Sequence, residues 1–282
     1  MTSKLAPPIG GFQEIDGRRV FAHRSGSGGP AVVFLPGANA VGLDYFGVQQ
    51  QVSQFTTAVV YDRGGTGYSD PLPLPRTATE VAAELHDLLH AQHVDAPYVL
   101  VAHSLGGLYA HRFAQLHPQE VAGLVFLDAL HRDWDDFMPP AASLAAAERM
   151  APDPEQMRLA LREMFTEVFA DYPEHVRQAL IDAHLSDEWI RTGAAESTGL
   201  TKLAAELRGP NLPDVPVIAL SVLDPDQEAM HDGRTRMDAA LVNKVPRGEQ
   251  RILTDTAHHR LCFDRSDAVV QAVRDIVGAT RP

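Results

Sequence analysis

Cysteine is almost missing from this chain: among 282 residues, Cys262 stands alone. No internal disulfide can form, no Cys-rich zinc site can be built, and nothing asks for an oxidising compartment. Also missing is any block of consecutive Lys and Arg, and 24 basic against 37 acidic residues leave a net charge of −13. Such a chain repels phosphate backbones and anionic lipid, so neither nucleic acid nor membrane is an expected partner. No run of about 18 apolar residues occurs, and the segment from Met1 to Pro8 lacks the apolar stretch of a secretory leader, so a cytoplasmic location is expected. Internal repeats and low-complexity tracts are absent too. What is present, 45% hydrophobic and 22% charged residues, is ordinary globular composition in a chain long enough to bury a sizeable core.

Phe12–Ile15 and Arg18–His23 flank Asp16-Gly17, a pair suited to the positive φ angles of a two-residue hairpin turn. Apolar runs without alternation follow at Ala31–Leu35, Ala58–Tyr61, Tyr98–Ala102, Gly123–Leu127 and Val217–Val222, as in parallel strands covered on both faces. Helical spacing fills the intervals at Thr79–Gln92, Leu105–Leu116 and Asp267–Val277, which together specify a doubly wound α/β sheet. Between Asp128 and Val217 lie roughly ninety residues with no strand pattern. Pro154–Phe169 (Met157, Leu161, Met164, Phe165, Val168), Pro173–Leu185 and Asp187–Leu207 read there as successive amphipathic helices, a helical lid.

The strongest local signal is Val99-Leu-Val-Ala-His103-Ser104-Leu105-Gly106-Gly107, an apolar strand entering a helix with Ser at the junction. Ala102 and Gly106, two residues either side, leave room for a tight turn that lifts the hydroxyl above the sheet and aims backbone N–H groups, Leu105 first, at one point. Upstream stand Val32-Val-Phe-Leu-Pro36-Gly37-Ala38-Asn39 and Tyr61-Asp62-Arg63-Gly64-Gly65-Thr66-Gly67-Tyr68-Ser69.

In these motifs the chain resembles the α/β-hydrolase family, Ala102-His-Ser-Leu-Gly106 matching its Gly-x-Ser-x-Gly nucleophile elbow. The resemblance implies an α/β-hydrolase fold: a mostly parallel eight-stranded sheet with helices on both faces and a helical lid inserted after strand six. Residues 1–130 and 214–282 would form the core and 131–213 the lid. Ala102 stands where the family has its first elbow Gly, and Pro36 where it has His. The second oxyanion donor would then be the N–H of Ala38, beside that of Leu105, with Asn39 nearby.

Serine needs a base to take its proton and an acid to orient that base, in the family order Ser, acid, His. The His should follow the strand Gln250–Leu253, where Ala257-His258-His259 offers two. His258 is preferred because small Ala257 precedes it, while loop length favours His259. For the acid, Asp224 after the strand Val217–Val222 is preferred, with Asp128 at the end of the preceding strand and Asp226 as alternatives.

Other residues read more plainly. His86 and His90 share a helix face at i, i+4, with His93 beyond, but no Glu follows His86 as a zinc-hydrolase helix requires, so no metal is expected. His103, His111 and His117 read as structural. Gly64, Gly65 and Gly67 make a tight turn, because the Lys-Ser/Thr of a phosphate loop is lacking. Trp134, Phe137 and Met138, just after Asp128, are expected with Asn39 to line an apolar pocket.

The reading is a lidded serine hydrolase, monomer or homodimer, cleaving a neutral, fairly apolar carboxylic ester or lactone. Ser104, His258 and Asp224 would be catalytic, Leu105 and Ala38 would bind the oxyanion, a small molecule would be the partner, and no cofactor is needed. Carbon–carbon bond hydrolysis, lyase or cyclase chemistry on the same triad, or a non-catalytic receptor of the same fold, are the alternatives.

Overall fold

The hairpin expected around Asp16-Gly17 opens the fold: β1 (Gly11–Ile15) and β2 (Arg18–Ser25) pair antiparallel, with φ of +49° at Asp16 and +73° at Gly17. The computed structural model describes residues 6–150 and 154–280. β3 (Ala31–Leu35), β4 (Ala58–Tyr61), β5 (Tyr98–His103), β6 (Val121–Leu127), β7 (Val217–Val222) and β8 (Gly248–Leu253) complete one eight-stranded sheet in the order β1-β2-β4-β3-β5-β6-β7-β8. β2 meets β4 antiparallel, and every pairing from β4 through β8 is parallel.

The helices are α1 (Phe46–Val52), α2 (Ala78–Ala91), α3 (Gly106–Leu116), α4 (Trp134–Phe137), α5 (Leu144–Glu148), α6 (Pro154–Val168), α7 (Glu174–His184), α8 (Asp187–Glu196), α9 (Leu200–Glu206), α10 (His231–Val242), α11 (Leu261–Asp264) and α12 (Ser266–Thr280). Because side chains alternate across a strand, Val33 and Leu35 of β3 join one apolar core with α2, α3 and α10, while Val32 and Phe34 join another with α1, α7 and α12. Both faces are therefore covered, which is why the central strands carry no polar alternation.

α4 to α9 fill the interval between β6 and β7. The helix expected over Asp187–Leu207 is two helices, since Gly199 adopts φ +82° and breaks the run between α8 and α9. The helices α1, α4, α5, α10 and α11 were not anticipated individually. α10 turns Arg234 and Asp238 inward as well as Met237 and Leu241, so its buried face has no apolar period to read. Met1–Leu5, which bear on the expectation about a leader, and the side chain of Met157 lie outside the described residues. No helix among the described residues is long and apolar enough to cross a membrane.

Candidate active site

Ser104 sits where β5 gives way to α3, at the carboxyl edge of the sheet, with φ +50°, a backbone conformation L side chains rarely adopt. Such strain costs on the order of 1–3 kcal/mol and persists only where the surroundings enforce it. Here they do: the Ser104 N–H donates to the Leu127 carbonyl at 3.2 Å, and the Ser104 carbonyl accepts from Gly107 and Leu130 at 3.0 and 2.8 Å. The turn also demands close approach. A Cβ on Gly106 would lie 2.2 Å from the Leu35 carbonyl oxygen, and one on Gly37 would lie 3.1 Å from the Ser104 Cβ. Gly37 thus lets the loop after β3 press against the serine. The N–H groups of Ala38 and Leu105, on either side, have no acceptor among the described residues.

His258 follows β8. Its Nδ1 lies 2.5 Å from Oδ2 of Asp128, a residue 1% exposed at the end of β6 with φ +44°. Arg234 of α10 approaches the same carboxylate oxygen at 2.5 Å, and the Val222 N–H donates to Oδ1 at 3.1 Å. Burial alone would raise the Asp128 pKa, but the hydrogen bond and charge of His258, then Arg234 and the Val222 N–H, outweigh it and leave the pKa lowered. The carboxylate is thus held ionised against the imidazole.

Asp224 is placed differently from expectation. Its Oδ2 accepts the backbone N–H of His258 at 3.0 Å and its Oδ1 the N–H of Asp226 at 3.0 Å, so it shapes the loop and does not meet the ring. Asp226 makes only that backbone contact with it. The reason is local: Asp224 starts the turn Pro225–Met230, and its side chain satisfies turn N–H groups instead of reaching across. His259 lines the cavity with no carboxylate on its ring among the described residues, and burial followed by His258 lowers its pKa. Ser104 and His258 line the same cavity without a mutual hydrogen bond.

His103, read from sequence as structural, lines this cavity. Its Nε2 lies 3.1 Å from the His258 carbonyl, which can only accept, so Nε2 carries the proton and Nδ1 accepts from the Tyr45 hydroxyl at 2.9 Å. Tyr45 in turn accepts the Gly37 N–H at 3.2 Å. Burial, followed by the neighbouring His258, lowers the His103 pKa to about 3, so the ring stays neutral and pins the loop after β3 to the loop after β8.

A second tie reaches the helical insert. Arg63, 2% exposed, donates to the Pro36 and Gly37 carbonyls at 2.6 and 2.9 Å and pairs with Glu196 of α8 at 2.6 Å. The other Glu196 oxygen accepts the Asn39 N–H at 3.2 Å, at a residue with φ +59°. One buried ion pair therefore fixes the backbone of Pro36-Gly37-Ala38-Asn39 to the insert. Neither partner was singled out from sequence for this role, since Arg63 appeared only within a turn motif and Glu196 as one more polar helix residue.

The cavity above Ser104 has a volume of about 440 Å³ and is bounded by Ala38, Asn39, Leu161, Met164, Phe165 and Phe263, among others. Asn39 is where the sequence reading put it. Trp134, Phe137 and Met138 are not: Trp134 and Met138 are buried in the core beneath α10, where Arg234 stacks 5.1 Å above the Trp134 ring. A Cβ on Gly233 would lie 2.6 Å from the Phe137 carbonyl, so α4 is packed against α10 and away from the serine. Proximity to Asp128 in sequence was the wrong guide; α6, far along the chain, supplies the wall. Cys262 also lines the cavity, and burial followed by the charge of Asp44 pushes its thiol up to about 12, so it is no competing nucleophile.

A family model described as alpha/beta hydrolase fold matches residues 30–172. This chain belongs to that family. An uncharacterised protein of Schizosaccharomyces pombe is 32% identical to this α/β-hydrolase over 182 residues, covering 62% of this chain and 33% of its own length. The chain thus spans about a third of that curated relative. Among solved structures, an esterase of Thermogutta terrifontis superposes with a TM-score of 0.67 at 18% identity, covering 97% of this chain and 98% of the other. A chain named Est816, described as an N-acyl homoserine lactone degrading enzyme, does so with a TM-score of 0.60 at 20% identity, covering 93% and 98%. At such identities the two structures speak for the shared α/β-hydrolase fold.

Proposed function

We propose that this α/β-hydrolase is a serine hydrolase that cleaves a neutral, fairly apolar carboxylic ester or lactone through an acyl-enzyme. Ser104 attacks the carbonyl carbon, and His258 takes its proton and returns it to the leaving alcohol. Asp128, in place of Asp224, holds the imidazole tautomer and stabilises its charged form. The Ala38 and Leu105 N–H groups receive the developing oxyanion, a contribution whose loss typically costs about 10²–10³ in turnover. Water then attacks the acyl-enzyme with His258 acting as base again.

The single observation that carries this reading is the 2.5 Å contact between His258 Nδ1 and the buried Asp128 carboxylate, on a ring that shares a cavity with the strained Ser104. The substrate class follows from the wall. No Lys or Arg lines the cavity among the described residues, so an anionic acyl group would gain no partner there, while Leu161, Met164, Phe165 and Phe263 favour an apolar one.

The test is a fluorophosphonate probe with mass spectrometry of the Ser104 peptide, run beside p-nitrophenyl esters of graded chain length and a lactone panel. An adduct on Ser104 that vanishes in Ser104→Ala, with turnover on at least one neutral substrate, is expected. An adduct that persists in that variant would overturn the nucleophile assignment.

A further inference from the structure

The carboxyl ends of α2 and α3 meet on a face whose residues take no part in the cavity, and the fold gathers there more imidazole than either helix shows alone. His86 and His90 occupy the last turns of α2, and His117 caps the end of α3, one residue before the turn Pro118–Glu120. The His86 ring stacks on His117 at 4.1 Å and lies 4.2 Å from His90. Glu120 bridges the group, with one oxygen 3.2 Å from His86 Nε2 and the other 3.3 Å from His90 Nε2. Ligand-type atoms of His86, His117 and Glu120 all fall within 4.8 Å of one another, and all three residues are half-buried.

We infer that His86, His117 and Glu120 form a binding site for a divalent ion of zinc type, with His90 as the fourth ligand. Two imidazole nitrogens and a carboxylate oxygen are the donor set such borderline ions prefer. In a tetrahedron of bonds about 2.1 Å long, neighbouring donors stand roughly 3.4 Å apart. Donors now within 4.8 Å reach that spacing by side-chain rotation, the stacked His86 and His117 rings turning so that both lone pairs face one ion. The site also suits a cation electrostatically. Two helix carboxyl ends direct their negative dipole ends at it, and the chain carries a net charge of −13. The i, i+4 pair on α2 could not announce this from sequence, because the other ligands come from the far end of α3. The ion would pin α2 to the α3–β6 junction, and the site stands independently of the proposed hydrolase reading.

The experiment is isothermal titration of ZnCl₂ into chelator-stripped, untagged full-length protein, with thermal unfolding recorded with and without the metal. One saturable site at micromolar zinc and a higher Tm with zinc are expected. Affinity should fall at least about tenfold in His117→Ala and again in Glu120→Gln, and stay unchanged in His93→Ala, which lies beyond the cluster. Circular dichroism of each variant without metal separates lost binding from lost fold, and His86→Asn serves where His117→Ala does not fold. No saturable binding below about 100 μM zinc, or binding indifferent to both ligand variants, would overturn the inference. So would binding lost in His258→Ala and retained in His117→Ala, which would place the ion in the cavity.

Discussion

Replacing Asp128 by Asn separates the two acids that end neighbouring strands. In the wild type the carboxylate lies 2.5 Å from His258 Nδ1 and 2.5 Å from Arg234. Two charges about 4 Å apart in a partly buried site interact by roughly 4 kcal/mol at an effective dielectric constant of 20, which equals about 10³ in rate when one of them is the imidazolium formed on the way to the acyl-enzyme. An Asn amide that turns its NH₂ to Nδ1 also moves the ring proton to Nε2, where the base must be free. Together these effects predict a loss of about 10³–10⁴ in kcat with KM little changed. Stability must be followed in parallel, because a buried Arg234 left without its anion costs about 3–5 kcal/mol. The double variant Asp128→Asn, Arg234→Met removes that cost and should recover much of the stability without recovering turnover. Asp224→Asn, which alters an acceptor for the His258 and Asp226 N–H groups, should cost tenfold or less. Steady-state kinetics on a neutral p-nitrophenyl ester and urea unfolding of all four proteins decide the matter. A fall of 10³ or more in Asp224→Asn, with Asp128→Asn within tenfold of wild type, would refute the assignment.

Three further outcomes are expected. His258→Ala should lose several orders of magnitude in turnover, whereas His259→Ala, whose ring meets no carboxylate among the described residues, should stay within about tenfold; equal losses would sink the choice of base. Glu196→Gln strips the anion from buried Arg63 and should lower unfolding stability by about 3–5 kcal/mol in urea while reducing kcat, since the pair fixes the loop that carries Ala38; unaltered unfolding and kinetics would remove the tie from the account. For Asp238, burial followed by the Asp128 charge pushes the pKa up to about 7, although its hydrogen bond with Ser221 works the other way. Between about pH 4 and pH 7 the native state then keeps a proton that the unfolded chain releases, so this group makes stability fall as pH rises, by up to about 1.4 kcal/mol per unit. Urea unfolding from pH 4 to 8 should show that slope in the wild type and not in Asp238→Asn, and identical slopes would contradict it.

The sheet was legible because its physics is local. Strands β3, β4 and β7 are buried on both faces and so spell themselves as unbroken apolar runs, whereas the polar edge strand β8 does not, and the Asp16-Gly17 hairpin is fixed by two residues with positive φ. The tight turn at Ser104 was legible for a similar reason, since small residues crowd where backbones touch, as at Gly106 against Leu35. The pocket wall was not, because which helix of the insert covers the cavity depends on packing between elements far apart in the chain. Trp134, Phe137 and Met138 follow Asp128 directly and yet are drawn under α10.

The choice between Asp224 and Asp128 shows the same limit more sharply. Asp128 and Asp224 both follow a parallel strand, β6 and β7 are neighbours, and both carboxylates converge on His258. Spacing along the chain cannot tell a carboxylate that meets the ring from one that meets the backbone N–H of the same residue. What distinguishes them is Arg234, which stands over Trp134, pairs with Asp128 and hydrogen-bonds Gln227. An arginine buried at 5% exposure needs an anion, and Asp128 is the anion it meets. Arg234 lies on α10, whose inward face mixes charged Arg234 and Asp238 with Met237 and Leu241, so the feature that hid α10 from a hydrophobic pattern is also the one that holds the Asp128 carboxylate against His258: a charged group driven into the core to meet a carboxylate erases the apolar period by which its helix would have been found.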